Sequence, residues 1–383
     1  MDTKLYFKKI LISMYQTLKR IYLSKILYYQ RQLVAFNSKM NSRKIIKDIL
    51  RRNNIPKLEP HEVAKAKAFY KSKGYKLKNT YWHRFYKFAN GEFHKDYLPL
   101  DIFRAIIEPN INRRLYWPAL VDKNLTSNIF DKFNQPETVV SNINGFYYMN
   151  NTMVKEAIAV DACNNAKAQL IIKPSIESGQ GKMVKKFTLN NEISPHNNVD
   201  IIDLFKLYKK DFIVQKVVEQ SKLLSTLNPT TLNTLRVVSY LDKTGTVNVL
   251  CTYLRIGKPG SDTDNISIGG IGCSVYNDGS LHSKGFGHRK DGGKSDITTA
   301  PSGVLLEGFK IPNYTAVSKM VKQMHIIIPM FKMVSWDIGI DKNDSPILIE
   351  YNTLYQSIDM QMFMGPFLGD FTDEILYLGR INS

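Results

Sequence analysis

Cysteine is scarce in this chain, which contains only Cys163, Cys251 and Cys273, each far from the next. An odd number of widely spaced cysteines predicts neither a disulfide framework nor a zinc site, and it favours a reducing compartment. The seven histidines show no metal-ligand spacing. No Ser, Cys or His stands out as a dedicated nucleophile. The composition therefore argues against disulfide scaffolds and zinc proteins.

Acidic residues are nearly missing from the first 52 residues, which contain thirteen Lys or Arg but only Asp2 and Asp48. This segment contributes +11 of the formal net charge of +19. Such an excess indicates a polyanionic neighbour, which could be nucleic acid, anionic lipid or a phosphorylated substrate. Uninterrupted apolar runs are also missing here, so we expect neither a signal peptide nor a transmembrane span, and we expect a cytoplasmic protein.

Apolar residues recur at three- and four-residue intervals near the N-terminus and predict an amphipathic helix. They are Leu11, Tyr15, Leu18, Tyr22, Ile26, Tyr29 and Leu33. Two interpretations stay open: the helix packs on the rest of the protein, or it lies on an anionic membrane surface at the inner membrane face. We predict a helical, basic N-terminal region over 1–114, followed by a region over 115–383 in which strands and helices alternate.

The stretch WDIGIDKNDSPILIEYN, residues 336–352, is typical of two strands joined by a tight turn. A turn on Asn343 and Asp344 would place Asp337 directly opposite Glu350. The strand period of two then returns Asn352 to the face of Glu350 and points Ile349 to the other face. Two facing carboxylates repel unless a cation lies between them, and oxygen ligands of this kind suit Mg²⁺. The alternative is a solvated hairpin edge.

The stretch IIKPSIESGQGKMVKKF, residues 171–187, predicts a strand, a loop of small residues and a second strand. Its loop would let backbone N–H groups approach an anion, while Lys173 and Lys182 add positive charge. It is not a Walker P-loop, because GxxxxGK[ST] would require Gly at Ile176 and Ser or Thr at Met183. An ordinary Gly-containing hairpin turn is the alternative.

Two further patterns lie between this loop and the hairpin. The strand DFIVQKVVEQ ends near Gln215 and Glu219, where backbone groups could contact an adenine ring and the carboxylate a ribose. NTLRVVSYL and YLRIG place Arg236 and Arg255 on neighbouring strands, where each needs an anionic partner. A plain edge strand and pairing of the arginines with local acids are the respective alternatives.

Taken together, these motifs resemble the ATP-grasp superfamily, and most closely its sugar-transfer-associated branch, with a D-alanine:D-alanine ligase-like core. The resemblance covers roughly residues 116–369 and rests on LVDKN, IIKPS, SGQG, FIVQKVVE, NTLRV, LRIG, DNISIGGIG, WDIGI, LIEYN and GPFLGD. It implies an α+β ATP-grasp fold in which two α+β subdomains grip ATP, with a glycine-rich lid subdomain at about 150–218. The basic helical N-terminal region lies mostly outside it.

The resemblance also implies roles for individual residues. Asp337, Glu350 and Asn352 would hold two Mg²⁺ ions, and Arg236, Arg255 and Asn265 would act at the reaction centre. The implied nucleotide-binding residues are Lys123, Lys173, Ser175, Ser178, Gly179, Gln180, Gly181, Lys182, Gln215, Lys216, Val217, Val218 and Glu219. The chain departs from the pattern in having Gln215 where many relatives have an acid, and in lacking a Pro-Gly turn after Asn352.

The implied function is an ATP- and Mg²⁺-dependent carboxylate–amine ligase that acts through an acyl-phosphate and modifies a sugar or its precursor in bacterial cell-surface polysaccharide biosynthesis. Its implied partners are ATP, a carboxylate substrate and an amine-bearing acceptor. Two alternatives stay open: phosphoryl transfer to a hydroxyl on the same fold, and a non-enzymatic basic protein that binds nucleic acid.

Overall fold

The computed structural model describes residues 3–176, 183–188, 200–293 and 296–381. The helices are α1 (Thr3–Arg52), α2 (Pro60–Ser72), α3 (Tyr81–Asn90), α4 (Leu100–Ile102), α5 (Glu108–Ile111), α6 (Lys123–Ile129), α7 (Glu156–Asn164), α8 (Ile201–Tyr208), α9 (Lys222–Ser225), α10 (Tyr314–Ile327), α11 (Gln361–Met364) and α12 (Thr372–Ile381). A π-helical turn, Phe103–Ile107, joins α4 to α5.

The strands form two six-stranded antiparallel sheets. They are β1 (Thr138–Ile143), β2 (Phe146–Met149), β3 (Thr152–Val154), β4 (Leu170–Pro174), β5 (Lys185–Phe187), β6 (Phe212–Lys216), β7 (Thr234–Leu241), β8 (Val247–Ile256), β9 (Ile271–Val275), β10 (Leu281–Phe286), β11 (Met333–Ile340) and β12 (Pro346–Asn352). The mixture of helices and sheets confirms the predicted α+β class.

The first sheet has the strand order β3-β2-β1-β6-β4-β5. Helices α7 and α8 bury apolar side chains against one face of it, including Ala159 and Phe205 beside Val140 and Ile172. The predicted strands at 170–173 and 211–218 are present as β4 and β6, which pair with each other. This sheet begins at Thr138, before the start of the predicted lid subdomain.

The second sheet has the order β10-β9-β8-β7-β11-β12. The four residues DKTG, 242–245, between two alternating stretches predict a hairpin turn, and the hairpin is present as β7 and β8. Every residue of β11 is buried, because the strand lies between β7 and β12 and the sheet is covered on both faces. Helix α10 covers one face. The three- and four-residue spacing of apolar residues over 314–331 predicts a helix of that length, and α10 ends earlier, at Ile327.

The helical N-terminal region covers the other face of the second sheet. The last turns of α1 bury Ile46 and Ile49 in a core that also contains Phe85 of α3 and Tyr240 and Tyr253 of the sheet. The packing interpretation of α1 therefore holds for its C-terminal end. The boundary predicted at residue 114 stays a prediction. Among the described helices, none has the length and apolar character that a membrane span requires.

Candidate active site

Asp337 on β11 and Glu350 on β12 are directly opposed in the strand register, as predicted. The turn itself differs from the prediction. Asp341 and Ser345 close a three-residue loop in which Asp344 has φ +57°, so the loop is one residue longer than a turn on Asn343 and Asp344 alone. A bulge at Ile349 absorbs the extra residue and restores the predicted pairing.

The bulge corrects the predicted orientation of Ile349. A Cβ atom added to Gly339 would lie 3.5 Å from Cδ1 of Ile349, so this side chain lies over the face that Gly339 shares with Asp337. It was predicted to point to the opposite face. The physical reason is that a bulge makes two residues of one strand oppose one residue of the other, which interrupts strict alternation.

Asp337 lies in the most buried part of the site, with 1% of its side chain exposed. Arg236, directly opposite it on β7, donates from Nε to Oδ1 and from Nη2 to Oδ2, the latter at 2.9 Å. Nη2 of Arg255 lies 3.0 Å from the same Oδ2. Burial raises the pKa of Asp337, and the two arginines oppose that shift. Both arginines therefore converge on this carboxylate.

Arg255 also connects Asp337 to a second acid. Its Nε lies 3.1 Å from Oδ2 of Asp264, and Thr234 accepts a hydrogen bond from the guanidinium while donating one to Asp264. A bridging guanidinium of this kind holds two strands and one loop in a fixed relation. The pairing with local acids proposed as the alternative for the arginines is thus present in the structure.

Glu350 faces two lysines that come from distant parts of the chain. Nζ of Lys123 lies 3.4 Å from Oε2 of Glu350, and the charge of Lys173 acts on the same carboxylate. Burial alone would raise the pKa of Glu350, but the two lysines outweigh it and hold the pKa well below its usual range. Burial lowers the pKa of Lys173 to about 8, and the neighbouring Lys123 contributes in the same direction.

The two lysines are held together by backbone contacts. Asp122 caps α6 by accepting from the N–H of Asn124, and the N–H of Lys123 donates to the carbonyl of Ser175 at 3.0 Å. Ser175 follows the end of β4, so it places the first turn of α6 beside Lys173. The buried Oγ of Ser175 has no hydrogen-bond partner among the described residues. Buried hydroxyl groups usually have a hydrogen-bond partner, so this one is available to bind a ligand.

At the predicted adenine and ribose site, residues 215–219, several hydrogen-bonding groups already bond to the protein itself. Gln215 donates from Nε2 to Thr138 at 3.2 Å, and the N–H groups of Lys216 and Val217 donate to carbonyls of 137 and 169. The N–H of Val218 has no hydrogen bond within the described part of the chain. Glu219 is exposed and forms an ion pair with Lys342 at 3.2 Å.

Two sets of predicted site residues are not part of the arrangement of acids, lysines and arginines described above. Asn265 accepts from the N–H of Ser267 at 2.9 Å and so caps a short 3₁₀ turn, next to Asp264. Its amide is therefore at the edge of the arginine cluster and does not contact Asp337. The glycine-rich loop, with Ser178, Gly179, Gln180, Gly181 and Lys182, lies outside the described residues.

The segment after Asn352 is fixed by a residue that sequence reasoning missed. The buried Glu108 carboxylate accepts from the N–H groups of Tyr355 and Gln356, at 2.9 and 2.8 Å. Arg104, on the π-helical turn, donates to the carbonyls of the same two residues. Tyr355 has φ +58°, which is uncommon for a tyrosine and is maintained by these contacts. A single acid in the run FRAIIEP carried no sequence signal for this role.

The donor set fits Mg²⁺ with one qualification. Glu350, Asn352 and Asp337 share one strand face and offer oxygen ligands, and no hydrogen bond occupies the Asn352 amide within the described residues. Both oxygens of Asp337, however, already accept from arginines. The described residues contain no cluster of three His, Cys, Asp or Glu side chains that could hold a metal. Glu350 and Asn352 are therefore the better-placed ligands.

A protein-family model described as sugar-transfer associated ATP-grasp matches residues 103–375, well over half of the chain. The chain belongs to the sugar-transfer associated ATP-grasp family. Its match starts within the helical N-terminal region, at the first residue of the π-helical turn. A search of curated proteins finds no match for this ATP-grasp protein.

Solved structures similar to this ATP-grasp protein include the D-alanine–D-alanine ligase of Bacillus anthracis, at 13% identity and a TM-score of 0.36, with 67% of each chain covered. Another is the biotin carboxylase domain of Hydrogenobacter thermophilus 2-oxoglutarate carboxylase, at 12% identity and a TM-score of 0.38. That match covers 68% of this chain and 45% of the other, so this chain spans less than half of its length.

Proposed function

We propose that the protein is an ATP- and Mg²⁺-dependent ligase that joins a carboxylate to an amine through an acyl-phosphate. The observation that carries the proposal is the convergence of Lys123 and Lys173 on Glu350. The lysines come from α6 and from a strand of the first sheet, and Glu350 comes from the second sheet. Cations and a carboxylate placed between two sheets suit nucleotide phosphates neutralised by a divalent metal.

In the first step a carboxylate oxygen of the substrate attacks the γ-phosphorus of ATP, and the bond from that phosphorus to the bridging oxygen breaks to release ADP. In the second step the amine attacks the acyl carbon, phosphate leaves, and the amine loses a proton. Neither step needs a protein nucleophile, which agrees with the lack of a candidate Ser, Cys or His. The protein's contribution is positioning and charge stabilisation.

Lys123 and Lys173 bind the phosphates, and Val218 offers its N–H to the adenine. Glu350 and Asn352, next to Asp337, would hold Mg²⁺, which would supply positive charge to the phosphates. Arg236 and Arg255 orient Asp337, and we assign to them the stabilisation of the negative charge that develops on the acyl-phosphate.

For the acceptor we propose a sugar or a sugar precursor used in bacterial cell-surface polysaccharide. The family's sugar-transfer association supports this choice. We propose that the acceptor binds beside the segment after Asn352, which Glu108 and Arg104 hold in place. This segment borders the proposed metal ligands, and 52% of the surface of Tyr355 is exposed there. Arg114 lies over the Tyr355 ring and Trp117 packs against it edge-on, and the exposed remainder of this aromatic side chain suits contact with a sugar ring.

The test is to incubate the purified protein with ATP, Mg²⁺, pooled carboxylic acids and hydroxylamine, which traps an acyl-phosphate as a hydroxamate. Amino sugars then replace hydroxylamine. Mass spectrometry follows nucleotide and product. We expect ADP, a hydroxamate that depends on one acid, and an amide with one amino sugar.

Formation of AMP would overturn the acyl-phosphate mechanism. ADP together with a phosphorylated hydroxyl compound and no hydroxamate would instead show phosphoryl transfer. Retention of ATP under all conditions, with no nucleotide binding by calorimetry, would remove the enzymatic proposal.

A further inference from the structure

Helix α1 carries a regular pattern of apolar residues along the part that projects before its packed C-terminal end. Counting from Tyr22, the pattern continues with Ile26, Tyr29, Leu33, Phe36 and Met40. The intervals are four, three, four, three and four residues, which is the a and d spacing of a coiled-coil heptad. Tyr15 lies one heptad earlier, and Lys19 occupies the position between Tyr15 and Tyr22. We call these residues the α1 seam.

The apolar residues of the α1 seam are exposed, except Ile26, which is partly buried. Tyr15, Tyr22, Leu33 and Phe36 expose 65%, 66%, 61% and 61% of their surface, and Met40 exposes 49%. The core that holds the rest of the N-terminal region takes up α1 only from Ile45 and Ile46 onwards. Monomeric proteins rarely expose a contiguous apolar surface of this extent, so a partner is expected to cover it.

The repeat length indicates what covers the seam. An ideal α-helix has 3.6 residues per turn, so a strict seven-residue repeat drifts by about 20° per heptad unless two helices supercoil around each other. Lipid imposes no such repeat, and a helix lying in a membrane interface instead shows a broad apolar face beside a strongly charged one. The spacing of apolar residues along the α1 seam is therefore typical of packing between two helices.

The residues beside the α1 seam suit a second copy of the same helix. On one side they are Gln16, Leu23, Gln30 and Asn37, and on the other Leu18, Lys25, Gln32 and Lys39. One flank therefore carries no charge, although α1 is strongly basic elsewhere. Lys19 fits a polar a position, which lowers stability but selects register and oligomeric state.

We infer that the protein forms a homodimer in which the α1 seams of two chains pair as a two-stranded coiled coil. From Tyr15 to Met40 the seam is roughly 38 Å long at 1.5 Å per residue. Its exposed aromatic and aliphatic side chains from two copies can bury on the order of 1,200 Å², the lower end of the range for stable interfaces. The inference concerns assembly and does not depend on the proposed reaction.

The test measures the mass of the full chain by size-exclusion chromatography with light scattering over a concentration series. Leu33→Glu combined with Phe36→Glu places charges in the seam. The matched control combines Val34→Glu with Asn41→Glu, which adds the same charge to the same helix away from the seam. Circular dichroism and nucleotide binding check that each variant is folded.

We expect the parent and the control to have twice the chain mass of 44.0 kDa, and the seam variant to dissociate at least a hundredfold more readily. A monomeric parent at all concentrations would overturn the inference, as would a seam variant that remains dimeric. Flotation with anionic vesicles is measured in parallel. A monomeric parent that floats, and stops floating in the seam variant, would assign the seam to a membrane surface.

Discussion

Glu350 lies directly across the strand pair from Asp337, and the two carboxylates have different surroundings. Asp337 accepts from two arginines of the second sheet, whereas Glu350 faces lysines that come from outside that sheet. Both acids are thus compensated, but by cations of different kinds. Arginines form fixed, directional bonds, and lysines are point charges that can exchange one anion for another. Glu350 is therefore the acid more readily available to a metal ion.

Glu350→Gln should lower Mg²⁺-dependent ATP turnover by on the order of 100-fold or more, because the amide keeps the shape but loses the charge. It should also lower the melting temperature, because Lys123 and Lys173 lose their anionic partner, so turnover is compared well below that temperature. Turnover is followed as ADP release, and folding by thermal denaturation. Asp344→Asn, an equivalent change in the exposed loop of the same hairpin, is the matched control. Unaltered turnover in Glu350→Gln would show that Glu350 does not hold the metal.

ATP affinity should depend on the protonation of Lys173, whose pKa is lowered to about 8. The phosphates favour the charged amine, so affinity should fall as the pH rises through about 8, by up to about tenfold per pH unit. Lys173→Arg stays charged and should bind ATP with little dependence on pH in this range. Calorimetry between neutral and alkaline pH measures both proteins. An identical pH dependence in the variant would contradict the assignment.

Arg255→Lys should depress the rate of ADP formation more than it weakens ATP binding. Lysine keeps the charge but cannot bridge Asp264 and Asp337 together, so we also expect a loss of unfolding free energy on the order of 1–3 kcal/mol. Steady-state kinetics, calorimetry and chemical denaturation separate these effects. Equal losses in rate and affinity would show that Arg255 acts only by pairing with local acids.

Glu108 should make stability depend on pH. Burial raises its pKa from 4.5 to about 7, so the folded chain holds this proton more tightly than the unfolded chain. Its contribution is fully present below about pH 4.5 and is lost as the pH rises through about 7. Glu108→Gln should remove this decline, worth on the order of 3 kcal/mol.

The measurement is urea denaturation of parent and Glu108→Gln across that pH range. Glu307→Gln, an exposed change of the same kind, should decline with pH like the parent. A Glu108→Gln variant that declines as steeply as the parent would show that Glu108 is not the titrating group.

The features that depend on short-range periodicity were predictable. Strand alternation placed β7, β8, β11 and β12, because successive strand side chains point to opposite faces whatever the rest of the chain does. The same period put Asn352 on the face of Glu350. The predicted pairing of Asp337 with Glu350 is present only because the bulge at Ile349 offsets a loop one residue longer than the predicted turn. The helix of α10 followed from its three- and four-residue spacing, although its end did not, since the last turn depends on what it packs against.

What only the tertiary structure decided is which distant residues meet. The convergence of Lys123 and Lys173 on Glu350 depends on how two sheets and a helix pack, and no spacing in the chain encodes it. Glu108 reaches Tyr355 across 247 residues. The Ile349 bulge depends on a loop one residue longer than the shortest turn. Local sequence patterns determine which face of a strand or helix each residue occupies. The partners of buried charges are set by tertiary packing, because an unpaired buried charge costs too much free energy.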